Sequence, residues 1–255
     1  MFTASHLRVP ARDRTILVAV LALLAATAWL VLWAWDASPY GRYLHHDTPS
    51  GLGTPMELGL FAFGWVLMIV AMMLPTSIPL VATFGALVGR RRRPHLLVGL
   101  VIVGYVATWM TVGLVAWLGD RGVHAAVDDI PWLAANSQYI LAATFVAAGL
   151  YQFSALKYRC LDECRSPMGF ILNRWQGRSE RREAFRMGVA HGLFCVGCCW
   201  SLMLVMFAVG LGNLVWMLAL GAVTAVEKNA PWGRRLARPL GVALLLAGLS
   251  VVNGW

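Results

Sequence analysis

The sequence predicts an all-α fold: a polytopic membrane helix bundle of about seven transmembrane helices, the second of them broken or kinked at prolines. Three observations predict it. Hydrophobic residues make up 59% of the 255-residue chain and charged residues 13%, which leaves too little polar surface to clothe a water-soluble domain. The apolar residues fall in runs of about 20, enough to cross roughly 30 Å of hydrocarbon at 1.5 Å per residue. The basic residues gather in every second loop, the pattern that holds loops on the cytoplasmic side.

The expected spans are residues 15–35, 57–89, 96–118, 137–156, 187–209, 213–227 and 239–254. The first has a basic start and an apolar middle like a signal peptide. At about 21 apolar and aromatic residues it exceeds the usual 7–15-residue apolar region, so it reads as an uncleaved anchor. The second is too long for one straight helix and contains Pro75 and Pro79. Each proline removes a backbone donor and crowds the preceding turn, which predicts a kink or break. Carbonyls freed in lipid must find partners in protein or water, so this stretch belongs inside the bundle. The last two spans are short for a perpendicular crossing, and one of them could be re-entrant. With no repeat, low-complexity tract or second domain in sight, residues 1–255 read as a single integral-membrane domain.

Charge sets the orientation. Arg8, Arg12 and Arg14 precede the first span, Arg90 to Arg93 follow the second, and the 157–186 loop after the fourth runs from Lys157 through Arg174 to Arg186. Lys228, Arg234, Arg235 and Arg238 follow the sixth, whereas the intervening loops hold only Arg42 and Arg121 among several aspartates. The reading is a multi-pass protein of the cell's inner (plasma) membrane, with a cytoplasmic N-terminus and Trp255 outside. The net charge of +9 is spread over these loops without an aromatic-interleaved patch, so nucleic acid is not an expected partner. The 178–186 stretch alternates charges like a short surface helix.

All five cysteines lie between Cys160 and Cys199. Cys160 and Cys164 form a C-x3-C pair just past the fourth span. The fifth opens with His191, Cys195, Cys198 and Cys199 in the run H-G-L-F-C-V-G-C-C-W. At 100° per residue, Cys195 lies roughly 40° from His191, Cys198 roughly −20° and Cys199 roughly 80°. Both groups start at one membrane face. A soft-metal site of Cys160, Cys164, His191 and Cys195 is the expectation, with Cys198 as an alternative ligand and Cys199 at the edge of the face. A single cysteine is as often a small core hydrophobe, but grouped Cys and His mark metal or redox sites. A reducing cytosol disfavours a structural disulfide. Thiolates with one imidazole suit copper as Cu(I) and also zinc. A zinc knuckle is normally water-exposed, so copper is favoured here.

Other candidates are accessory. Glu227 near the end of the sixth span is either a functional carboxylate or an ion-pair partner of Lys228 or a nearby arginine. Met68, Met72 and Met73 precede Pro75; their thioethers could pass a soft ion along, or simply fill gaps in the core. His45, His46 and Asp47 could collect a cation in an outer loop, though a solvated loop explains them as well. No Ser/His/Asp arrangement, phosphate-cradling loop or paired catalytic carboxylates are present.

The stretches W-V-L-M-I-V-A-M-M-L-P-T-S-I-P around Pro75, K-Y-R-C-L-D-E-C-R-S-P around Cys160 and H-G-L-F-C-V-G-C-C-W, with A-V-E-K at 225–228, carry a resemblance. They resemble an uncharacterised bacterial family of predicted metal-binding integral membrane proteins. The resemblance implies a metal-related role for the cysteines and no established activity. Three functions therefore compete. The first is a membrane protein that binds or transports copper or zinc, with a metal-delivering partner. The second is an enzyme, a thiol-disulfide electron carrier using the Cys195–Cys198 C-x-x-C pair, for which no outer cysteine exists to receive electrons. The third is a non-catalytic subunit of a membrane complex.

Overall fold

The computed structural model describes residues 11–38, 54–209 and 213–253. The expected roles of Arg8, of His45, His46 and Asp47, and of Trp255 fall outside these. Every regular element among the described residues is helical. The elements are α1 (Ala11–Asp36), α2 (Thr54–Met68), α3 (Leu74–Thr76), α4 (Ile78–Val88), α5 (Pro94–Asp129), α6 (Pro131–Ala135), α7 (Gln138–Tyr151), α8 (Ala155–Arg165), α9 (Pro167–Leu172), α10 (Glu180–Val209), α11 (Leu214–Asn229) and α12 (Ala237–Val252).

By length and apolarity, five stretches could cross a membrane: Thr15–Asp36, Pro55–Thr76, Pro94–Asp129, Glu180–Val209 and Gly233–Val252. The bent pair α7 and α8 would make a sixth. The expected seven is more than length alone supplies among the described residues. The expected sixth span is α11, whose 16 residues reach only about 24 Å at 1.5 Å per residue.

Helix α10 is the hub, packing on α5, α7, α8 and α11, while α12 lies against α7. The contact of α10 with α5 is the most extensive, and glycine makes it so close. A Cβ built on Gly188 would run into the carbonyl oxygen of Val101, and one on Gly104 into that of Phe185. Small residues let helix backbones approach in this way and gain van der Waals contact.

The proline expectation has a specific outcome. Upstream of Pro75 the chain widens into a π-helical turn, Ile69–Met73, in which Leu74 N–H reaches back to the Ile69 carbonyl. The helix then ends at Ser77, and α4 starts with Pro79 in its first turn. Pro75 has no N–H to offer the carbonyl of Ala71, and the indole of Trp29 donates to it instead at 3.2 Å. The Met73 carbonyl accepts from the Thr76 hydroxyl at 2.8 Å, the Tyr105 hydroxyl at 3.1 Å and the Ser77 hydroxyl at 3.4 Å. Protein groups thus re-satisfy the carbonyls that the break exposes, as buried backbone requires. Met72 and Met73 of the π turn are both buried.

Two local expectations need correction. Residues 157–165 are not part of a loop. After Tyr151 the chain turns by 65°, and the Ser154 side chain caps α8 by accepting from Lys157 N–H at 3.1 Å. The 178–186 stretch is not a separate surface helix but leads into α10. There the Glu183 carboxylate accepts the backbone N–H groups of Gln176, Gly177, Arg178 and Ser179 at 2.7 to 3.1 Å, which fastens the entry to the helix.

Candidate metal centre

Helix α10 buries His191, Cys195, Cys198 and Cys199 on its inner side. All five cysteines are free thiols. Cys198 and Cys199 lie one turn beyond Cys195, and both thiols donate back to its carbonyl, at 3.1 and 2.9 Å. Helix α8 packs Cys164, partly buried, against the core that holds Cys195, Cys198 and Cys199. Thiols from two separate sequence groups therefore pack on one core, three of them buried on α10 and Cys164 partly buried beside them.

Cys160 and His191 make other contacts. The Cys160 sulfur lies against Gly197, where a Cβ would approach it to 2.5 Å. The His191 Nε2 is 3.1 Å from the Ser77 hydroxyl, and its ring stacks on Tyr105 and meets the edge of Phe170. His191 Nδ1 is buried without a hydrogen-bond partner among the described residues. Nor does any group of three or more His, Cys, Asp and Glu among them form a ready coordination shell. The expected quartet of Cys160, Cys164, His191 and Cys195 is thus spread over three neighbouring positions of one core.

The charged surroundings were not expected. The Cys195 sulfur is 2.8 Å from Lys228 Nζ and 3.1 Å from the Tyr105 hydroxyl. Lys228 also donates to the Thr76 hydroxyl at 3.2 Å, which ties α11 to the proline break. Glu227 does not pair with Lys228, as the sequence suggested. Its carboxylate takes Lys157 Nζ at 2.8 Å, and that ammonium also donates to the Cys198 carbonyl at 3.2 Å. Lys157, Glu227 and Lys228 are 0%, 1% and 6% exposed. The adjacency of Glu227 and Lys228 explains the misreading, because neighbours on a helix point about 100° apart. Arg165 donates to the carbonyls of Glu227 and Pro231 and so joins α8 to the end of α11.

Met73 touches the thiols: its sulfur lies 3.9 Å from that of Cys199. Met68 and Met72 are buried in the same core. The donors gathered here are soft thiols and a thioether, a set that selects soft ions over hard ones.

A family model described as "PpoB2: Copper chaperone" matches residues 62–251. The chain belongs to this family. The stretch matched to PpoB2 takes in all five cysteines, both buried lysines and Glu227, so the sulfur core and its charged collar fall within the family's shared extent. The PpoB2 description agrees with the copper-related role that the sequence suggested. No curated protein and no solved structure matches the chain. Sequence reasoning missed Tyr105, Ser77, Lys157 and Lys228 as parts of the centre. The lysines of K-Y-R-C and A-V-E-K were the available signals; both read as loop charge, and Lys228 also as a partner for Glu227.

Proposed function

We propose that the chain is a multi-pass membrane copper chaperone, which takes up Cu(I) at Cys164, Cys195, Cys198 and Cys199 and hands it to a partner protein. The observation that carries this reading is the packing of thiols from two sequence groups on one core, three of them buried on α10 and Cys164 partly buried beside them. The family description supports copper as the ion. The charges support it too. Lys157 and Glu227 neutralise each other, which leaves the Lys228 ammonium to be balanced by sulfur. A Cu(I) ion held by two of these four sulfurs as thiolates, the other two remaining thiols, carries one net negative charge, and one ammonium compensates it, as a buried site requires. A zinc ion in four thiolates would carry two, with one cation on hand. The site lies near the cytoplasmic end of α10 in the orientation set by the basic loops, with the N-terminus cytoplasmic and Trp255 outside. The bilayer is that of the cell's plasma membrane.

The test is metal content after anaerobic loading with Cu(I), read by elemental mass spectrometry on detergent-purified protein. Cys195→Ser combined with Cys198→Ser removes most of the thiol-bound copper, while Cys160→Ser keeps most of it. Thiols bind only when deprotonated, so loading releases protons and weakens as pH falls. Undiminished thiolate-bound copper in the double variant would overturn the proposal. So would a readily cycled disulfide in a chain that binds no metal, which is the behaviour of an electron carrier.

A further inference from the structure

We infer that Met68, Met203 and Met217 form a second soft-ion site, made of thioethers alone, one helical turn beyond the thiols on the side away from Lys228. The inference rests on the soft-metal reading of the thiol core and extends it from a single site to a relay.

The register of three helices places these residues together. Lys228 of α11 meets both Thr76 of α3 and Cys195 of α10. Toward the middle of the bundle, Cys199 of α10 touches Met73 of the π turn. At the same depth, the Met72 side chain lies against Gly221 of α11, where a Cβ would be 3.3 Å from its methyl carbon. These contacts fix the directions. The α2–π segment and α11 run parallel, and α10 runs against both. One further turn outward, about 5.4 Å, leads from Cys199 to Met203, from Met72 to Met68 and from Gly221 to Met217. All three methionines are buried in the same core as the thiols.

Packing alone explains one methionine readily, since the side chain fills irregular gaps. It accounts less well for one at matched depth on each of three converging helices, with Met73 standing between them and Cys199. Both methionines of the π turn are buried and reach the neighbouring helices, Met73 at Cys199 and Met72 at Gly221. Thioethers are neutral, so an ion bound by them keeps its positive charge. Such a site accepts Cu(I) or Ag(I), and Zn(II) finds no anionic ligand there. Movement from the thiols to the thioethers exchanges one sulfur ligand for another through Met73, with no change in the oxidation state of copper.

The experiment uses the full chain labelled with selenomethionine and loaded anaerobically in detergent with increasing Cu(I). Selenium-edge X-ray absorption is expected to show a copper–selenium shell once the thiols are filled. Met203→Leu and Met217→Leu, which keep the volume and apolar character of the side chain, are expected to lose that shell together with about one bound copper. The copper–thiolate signal stays. Zn(II) loading is expected to give no selenium shell. A thiol-loaded wild-type protein with no copper–selenium shell at excess Cu(I) would overturn the inference and leave the chaperone reading intact. A selenium shell that survives both leucine substitutions overturns this ligand assignment. A selenium shell in a Cys195→Ser, Cys198→Ser, Cys199→Ser chain supports the thioether site independently of the thiols.

Discussion

Replacing Lys157 by methionine tests whether the Lys157–Glu227 pair holds α8 against α11. The two charges are 2.8 Å apart with side chains 0% and 1% exposed. At an effective dielectric of 20 their attraction is about 6 kcal/mol, most of which offsets the cost of bringing both charges in from water. Removing one partner leaves the other buried and uncompensated, at a cost of about 3–5 kcal/mol. Lys157→Met and Glu227→Leu should each lower the unfolding midpoint by roughly 6–20 °C, at about 2–4 °C per kcal/mol for a chain near this size. Glu227 already has one oxygen without a hydrogen-bond partner among the described residues, which places its variant toward the lower end. The double variant Lys157→Met/Glu227→Leu restores charge balance with apolar groups and should come back to within about 1–2 kcal/mol of wild type. The assay is thermal unfolding in detergent, analysed as a double-mutant cycle. Single variants within about 1 kcal/mol of wild type, or losses that simply add in the double, would refute the assignment of a coupled buried pair.

Two further predictions concern packing and topology. Gly188→Ala should destabilise by about 1–3 kcal/mol or more, because the new methyl meets the Val101 carbonyl. Gly99→Ala on α5, whose Cβ would meet nothing within 4 Å, should be neutral or gain up to about 1 kcal/mol of helix propensity; equal effects of the two in thermal unfolding would contradict the glycine-mediated approach of α5 and α10. A reporter fused after Trp255 should read as extracytoplasmic; a cytoplasmic signal would remove one crossing, with the 16-residue α11 the first to be reassigned.

The helices were legible in the sequence because apolar runs and prolines are local signals. The break near Pro75 could be foreseen, but not its form. A π turn depends on which donors stand ready for the freed carbonyls, and Trp29 and Tyr105 come from helices 42 and 32 residues away. The sulfur-bearing residues were likewise visible, because two cysteine groups and a histidine stand out against apolar surroundings. What escaped was the collar around them. Lys157 followed a span in a basic stretch and read as loop charge, whereas its partner Glu227 lies 70 residues away. Helical phase put His191 and the cysteines of α10 on one face. It could not tell that Ser77 would take the imidazole or that Lys228 would approach Cys195. Such pairings depend on how different helices dock, which periodicity within one helix does not encode.

The 65° turn between α7 and α8 bears on affinity as much as on shape. Were α7 to continue straight, the residues after Tyr151 would project from the end of the bundle, and Cys164 would end about 20 Å further along the axis. Its sulfur would then meet the α10 thiols only as a separate ligand, at whatever concentration a freely moving segment provides. Turned back and capped by Ser154, the same thiol packs against the core that holds the α10 thiols. On the proposed reading, the chelate effect of the centre rests on a three-residue corner, Gln152 to Ser154, that contains no sulfur.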